Sequence, residues 1–173
     1  MPQLRSRRKF EQIFHAHGSD LWRFARFLCN SRCEAEEALQ QTWLHAWEGF
    51  HTLKSANKAR AWLFTILHRE FLKIRRRPST AQSLELLQEL PDHRQENPEL
   101  QIDLERAIRE LPEIFRTPLV MQIAGGLSIN EIAEILRIPR GTALSRIARA
   151  RKHLISAHPQ TTWTVYNNEQ KLS

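Results

Sequence analysis

Only two of the 173 residues are cysteine, Cys29 and Cys33, and glycine occurs five times and tyrosine once. So few cysteines exclude a disulfide scaffold, and the pair reads as reduced thiols of a cytosolic chain. His15 and His17 come earlier, but residues two apart do not share a helical face, so no metal is expected. Scarce glycine leaves no phosphate-cradling loop, and neither H-E-x-x-H nor G-x-S-x-G occurs. Hence no enzyme activity, no cofactor and no small-molecule substrate is expected. No apolar run approaches the roughly 18 residues of a membrane span, and MPQLRSRRKF has no apolar segment behind its basic residues to make a signal peptide. A cytoplasmic address follows as the expectation. The alternation that marks half-buried strands is also missing, which predicts an all-α fold.

Basic charge is what the chain does have. Twenty-six Lys/Arg against 19 Asp/Glu leave a formal charge of +7 and a pI near 10.1, which favours an anionic partner. The charge is unevenly spread. Residues 1–77 hold fifteen basic and seven acidic side chains, whereas residues 78–98 hold one arginine and four acids, with Pro78, Pro91 and Pro98. That second stretch reads as a flexible linker with one helical turn around Leu84 to Leu90. Residues 99–157 are net +2, and 158–173 form a polar tail without a clear pattern. Two small helical domains, 1–77 and 99–157, are therefore expected on either side of an acidic tether.

Helical spacing supports three helices in the first domain. Phe10, Phe14, Leu21, Phe24, Ala25 and Leu28 predict one from about Lys9 to Cys29. Ala35, Ala38, Leu39, Thr42 and Ala46 predict a second, with Glu37, Gln40, Gln41 and Leu44 on its other side. A third should run from Lys58 to Arg77, with Leu63, Ile66, Leu67, Phe71 and Ile74 inward and Arg69, Lys73, Arg76 and Arg77 outward. In the second domain, Leu100, Leu104, Ala107, Ile108 and Leu111 mark a helix that Pro112 ends while starting the next. Pro118 should bend that next helix, and Gly125-Gly126 should end it.

The stretch from Ser128 to Leu154 carries the strongest functional signal. Ser128 and Glu131 form an S-x-x-E capping box at a helix start. Ile132, Ala133 and Leu136 line that helix, and Arg137-Ile138-Pro139 ends it. A second helix starts near Arg140, with Ala143, Ile147, Ala150 and Leu154 as its apolar stripe. Off the stripe lie Arg140, Leu144, Ser145, Arg146, Ala148, Arg149, Arg151 and Lys152. Two helices with a tight turn, the second basic, make the pattern of a helix-turn-helix reading a DNA major groove. The same pattern also fits two amphipathic helices with a solvated basic face.

Longer motifs narrow the choice. LPEIFRTPLVMQIAGGLSINEIAEILRIPRGTALSRIARAR, from Leu111 to Arg151, resembles region 4 of the extracytoplasmic-function (ECF) group of bacterial RNA polymerase sigma factors. EAEEALQQTWLHAW, from Glu34 to Trp47, and RAWLFTILHREFLKIRRR, from Arg60 to Arg77, resemble region 2 of the same group. The resemblance covers about residues 10 to 157.

It implies a protein that binds core RNA polymerase and brings it to promoter DNA under the control of an anti-sigma factor. By resemblance, Glu37, Gln40, Gln41 and Leu44 dock on the polymerase clamp. Asn57, Arg60, Arg69, Lys73, Arg76 and Arg77 engage the single-stranded minus-10 element, beside a loop from about His51 to Asn57 that captures a flipped base. Arg140, Thr142, Leu144, Ser145, Arg146, Ala148, Arg149 and Lys152 meet the duplex minus-35 element. Trp62 is expected in the interior. The acidic tether, with Glu85, Glu89, Asp92 and Glu96, would thread the polymerase cleft and partly imitate RNA.

Departures from the group's pattern limit the carry-over. Arg69 and Lys73 stand where asparagine and aspartate are frequent, so minus-10 preference does not transfer. Gln41 replaces an acid, Trp43 a phenylalanine, and Leu144 a basic residue, which would let it touch a thymine methyl. A free-standing dimeric regulator would explain residues 111–154 but not the region 2 segments. A recombinase would need a catalytic serine or tyrosine in a mixed sheet, and residues 1–77 contain no tyrosine.

Overall fold

The computed structural model describes residues 2–77 and 105–157. The acidic stretch 78–98, the positions Leu100 and Leu104, and the tail 158–173 lie outside the described residues. Helices α1 (Pro2–Leu28), α2 (Arg32–Glu48) and α3 (Ala59–Arg75) form the first module, and α5 (Glu113–Ile123), α6 (Ile129–Leu136) and α7 (Arg140–Ala157) the second, preceded by helical residues 105–110 (α4). No strand occurs among the described residues.

Small residues set the spacing of the first module. Ala35, Ala38, Thr42 and Ala46 are the buried positions of α2, so α1 and α3 approach its backbone closely, and Thr42 Oγ1 satisfies itself on the Ala38 carbonyl at 2.6 Å. Leu21, Phe24 and Leu28 of α1 meet Leu63, Leu67 and Phe71 of α3, all essentially fully buried. Ser31 caps α2 by accepting from the Glu34 amide at 3.1 Å. Helix α1 begins seven residues earlier than its apolar spacing predicts, at Pro2. Phe10, already inside the expected helix, makes edge-on contacts with Trp43, Trp47 and Phe50 (centroids 6.0, 5.1 and 5.4 Å) that hold its turn against the end of α2.

In the second module Ile108, Leu119, Val120, Met121 and Ile132 enclose the stripe Ala143, Ile147, Ala150 and Leu154, the four positions expected of α7. Helix α5 starts after Pro112 and continues through Pro118, which is buried. Gly126 takes a left-handed φ of 58° and returns the chain toward the Ser128–Glu131 capping box, both of whose bonds form. The end of α6 departs from the proline-based expectation. Arg137 itself is left-handed (φ 54°, ψ 47°), and the Ile138 amide reaches back to the Ala133 carbonyl at 3.0 Å, closing the helix end.

The modules also pack on each other, α1 against α5 and α3 against α6, so that one hydrophobic cluster runs through both. Phe64 is the pivot. It is fully buried, lies 5.0 Å from Phe24 between ring centroids, and sits where a Cβ on Gly125 would come within 2.7 Å of its Cε1. Arg75 pairs with Glu113 across the same boundary, and Arg60 lies over Gly126.

Candidate nucleic-acid interface

Helix α7 presents its cations according to simple helical arithmetic. At about 100° per residue, Ser145, Ala148, Arg149 and Lys152 fall opposite the buried stripe, and all four are exposed. Leu144 lies on the flank of this face with half of its surface exposed, and Arg140, the first residue of the helix, is exposed on the side nearer the stripe. Thr142 is half-buried, and its carbonyl accepts from Ser145 Oγ at 3.0 Å. Two arginines turn back toward the protein. Arg151 donates to Gln122 Oε1 at 2.9 Å, and Arg146 lines a cavity of about 130 Å³ with His68, Glu113, Thr117, Pro118 and Leu136. The exposed set thus forms one outward face, while Arg146 sits at the boundary between the modules.

The second group of expected residues gathers on α3 and the loop before it. Asn57, Arg69, Lys73, Arg76 and Arg77 are exposed and Arg60 is half-buried. The loop consists of two short 3-10 turns, Phe50–Thr52 and Ala56–Lys58, tied down by Thr52 Oγ1 donating to the Gly49 carbonyl (2.7 Å) and by contact between Ser55 and Asn57. Trp62, expected in the interior, is only half-buried at the edge of the core, and its Cζ2 borders Gly49. Four cations of this surface face carboxylates. Lys73 Nζ lies 2.7 Å from Glu70 Oε1, Arg77 Nη1 2.6 Å from Glu37 Oε1 and Arg60 Nη2 3.7 Å from Asp20 Oδ2, while Arg75 meets Glu113.

Glu70 is a buried neighbour of this surface that sequence reasoning missed. Buried on α3, it stands 3.3 Å from His45 Nδ1 on α2 as well as beside Lys73. Its i,i+3 spacing to Lys73 was the available signal. The link to His45 was not legible, because it crosses helices.

On α2, Gln40 and Leu44 are exposed and Glu37 and Gln41 are half-buried, so the four expected residues share one accessible face. Trp47, about half exposed, continues it.

The titratable groups at the module boundary do not favour reactivity. Burial, reinforced by Glu34, pushes the Cys29 thiol up to about 12, with Arg116 opposing, so the thiol stays protonated. Burial alone pulls His68 down to about 4. His17 is lowered as well, by burial first and by Arg60 second. Among the described residues no group of three or more His, Cys, Asp or Glu is placed to hold a metal ion. No described helix is long and apolar enough to cross a membrane.

Comparison with known proteins agrees with this layout. The Sigma-70 region 2 family model matches residues 13–80, and the Sigma-70 region 4 model matches residues 101–154. The ECF RNA polymerase sigma factor SigM of Mycobacterium tuberculosis is 32% identical over 146 residues, 84% of this chain and 74% of that protein. SigL of the same species is 31% identical over 148 residues, 78% of this chain and 80% of the relative. Among solved structures, the sigma factor RpoE of Bartonella quintana, crystallised with the anti-sigma factor NepR, superposes with a TM-score of 0.68 at 26% identity, covering 87% of this chain and 97% of that one. CnrH in complex with the cytosolic domain of CnrY gives 0.67 at 23% identity over 88% and 89% of the two chains, a likeness of fold. Two sigma regions in order, with relatives above 30% identity along most of their own length, make this chain a member of the ECF group of RNA polymerase sigma factors.

Proposed function

We propose that the chain binds core RNA polymerase through the α2 face of Glu37, Gln40, Gln41 and Leu44. The α3 surface then holds the opened minus-10 element, α7 reads the minus-35 duplex, and the chain has no catalytic role of its own. The observation that carries this reading is the outward face of α7, where Ser145, Ala148, Arg149 and Lys152 stand together opposite the buried stripe, with exposed Leu144 on the flank and exposed Arg140 at the helix start. Arg149 and Ser145 suit base edges and Leu144 a thymine methyl, while Arg140 and Lys152 suit phosphates, which fix register. On α3, Arg69 and Arg76 supply exposed cations for a single strand, with Asn57 on the adjoining loop. The module limits 1–77 and 99–157, with 78–98 between them, belong to the same proposal, as does work in the cytoplasm.

Scale constrains how the modules act. Elements centred about 25 base pairs apart are separated by about 85 Å at 3.4 Å per pair. A folded body of this size has a radius of gyration of only about 15 Å. Both elements can be held at once only if α1 parts from α5 and α3 from α6, and residues 78–104 reach roughly 90 Å when fully extended. An anti-sigma factor, the partner seen with the Bartonella relative, would act by covering the α2 and α7 faces.

The test is reconstitution. Purified chain and core polymerase should form a stable complex that initiates from a defined promoter, and Leu44→Asp should abolish the complex without unfolding the chain. A chain that bound duplex DNA alone and ignored polymerase would refute the reading.

A further inference from the structure

The Arg77–Glu37 pair joins surfaces with different proposed partners. Arg77 follows the end of α3 on the side offered to DNA, and Glu37 lies on the α2 face offered to polymerase, yet their side chains meet at 2.6 Å across forty residues of sequence. The other carboxylates that meet α3 cations differ in place. Glu70 is buried, Asp20 lies on α1 and Glu113 on the second module. Among these, Glu37 is the one that the polymerase-docking face also contains.

Both side chains remain reachable, with about 60% of Arg77 and 35% of Glu37 exposed. A phosphate approaching Arg77 therefore also approaches the Glu37 carboxylate, and like-charge repulsion opposes the contact. A basic group of a partner that engaged Glu37 would remove that repulsion. The competition is electrostatic and not steric, since a carboxylate retains lone pairs after accepting one guanidinium bond.

We propose that Glu37 restrains Arg77 in the free chain, and that capture of its carboxylate by a basic side chain of core polymerase releases Arg77 to a phosphate of the opened strand. Polymerase docking and DNA holding are thereby coupled through one ion pair, in addition to any rearrangement of the two modules. The inference rests on the sigma-factor reading above and deepens it.

The experiment is a double-mutant cycle on the full chain, with a short dye-labelled single-stranded DNA of mixed sequence as probe at low salt. Fluorescence anisotropy reads binding, and circular dichroism checks that each variant is folded. Glu37→Gln should tighten binding about two- to fivefold, the range that an exposed ion pair supports. Glu36→Gln removes the same charge from a neighbour that pairs with Arg32 at 2.6 Å, and should change binding by less. In an Arg77→Ala background the Glu37→Gln gain should vanish. With saturating core polymerase, the wild-type and Glu37→Gln complexes should bind the probe equally.

A gain that persists without Arg77, or that Glu36→Gln reproduces, would overturn the proposal, as would a flat response to Glu37→Gln. Failure to bind core polymerase would overturn the sigma-factor reading and the coupling together. A normal polymerase complex with a flat cycle would overturn the coupling alone.

Discussion

Replacing Gly125 by alanine tests the packing of the two modules with one methyl group. A Cβ at this position would stand 2.5 Å from the Met121 carbonyl oxygen and 2.7 and 2.8 Å from Cε1 and Cζ of Phe64. Real Cβ atoms do not approach neighbours that closely, and neither neighbour yields easily. Met121 O is backbone of α5, and Phe64 is completely buried against Phe24. Overpacking of this kind costs about 1–3 kcal/mol. For a chain of this length, that corresponds to a fall in Tm of about 2–12 °C.

Chemical denaturation followed by far-ultraviolet circular dichroism measures the loss. Part of it should be recovered in a Phe64→Leu background, because the smaller side chain removes the contact that crosses between modules. Gly141→Ala is the control, since a Cβ there meets nothing within 4 Å. It should be neutral or stabilising by about 0.5 kcal/mol, because alanine favours the helix. Equal stability of Gly125→Ala and wild type would refute the packed arrangement. A loss that Phe64→Leu left untouched would place the strain within the α5–α6 turn alone.

Other predictions concern the second module and the boundary. Ser128→Ala removes one bond of the capping box and should cost about 1 kcal/mol by equilibrium unfolding. Arg137→Gly relieves a left-handed non-glycine residue and should be neutral to stabilising by about 1 kcal/mol. Arg149→Ala should weaken binding to the cognate minus-35 duplex by about 1–3 kcal/mol more than binding to random duplex, and equal losses would exclude base reading. His68 is held neutral by burial, its folded value depressed from 6.5 to about 4. Its contribution is therefore fully present above pH 6.5 and is lost as pH falls toward 4, because the unfolded chain binds that proton more readily. His68→Asn should flatten the stability profile over that window.

How far the sequence could be read depended on whether a residue's neighbours lie on its own helix. The stripe Ala143, Ile147, Ala150 and Leu154 was legible because spacing near 3.6 residues reports one buried face, and the capping box because its bonds span three residues. Phe64 was not legible. It lies off the expected inward stripe of α3, and what buries it is Phe24 on α1 together with Gly125 on the other module. The left-handed Arg137 was missed because the following proline already offered a reason for α6 to stop. Of the candidate site, the composition of each face was readable. The place of half-buried Arg146 beside the intermodule cavity and the pairing of Arg151 with Gln122 were not, since both depend on how α7 lies against other helices.

The sequence by itself determined an all-α chain with a helix-turn-helix, an acidic stretch between two basic segments, and the motifs that place it among the ECF sigma factors. Periodicity, capping residues and charge act locally, and local terms survive without knowledge of the fold. Tertiary structure alone decided that Phe64 joins the modules through Gly125, that Glu113 meets Arg75, and that Glu37 meets Arg77 across forty residues. Contacts of that kind follow from the angles at which helices pack, which no single helix encodes in its own spacing.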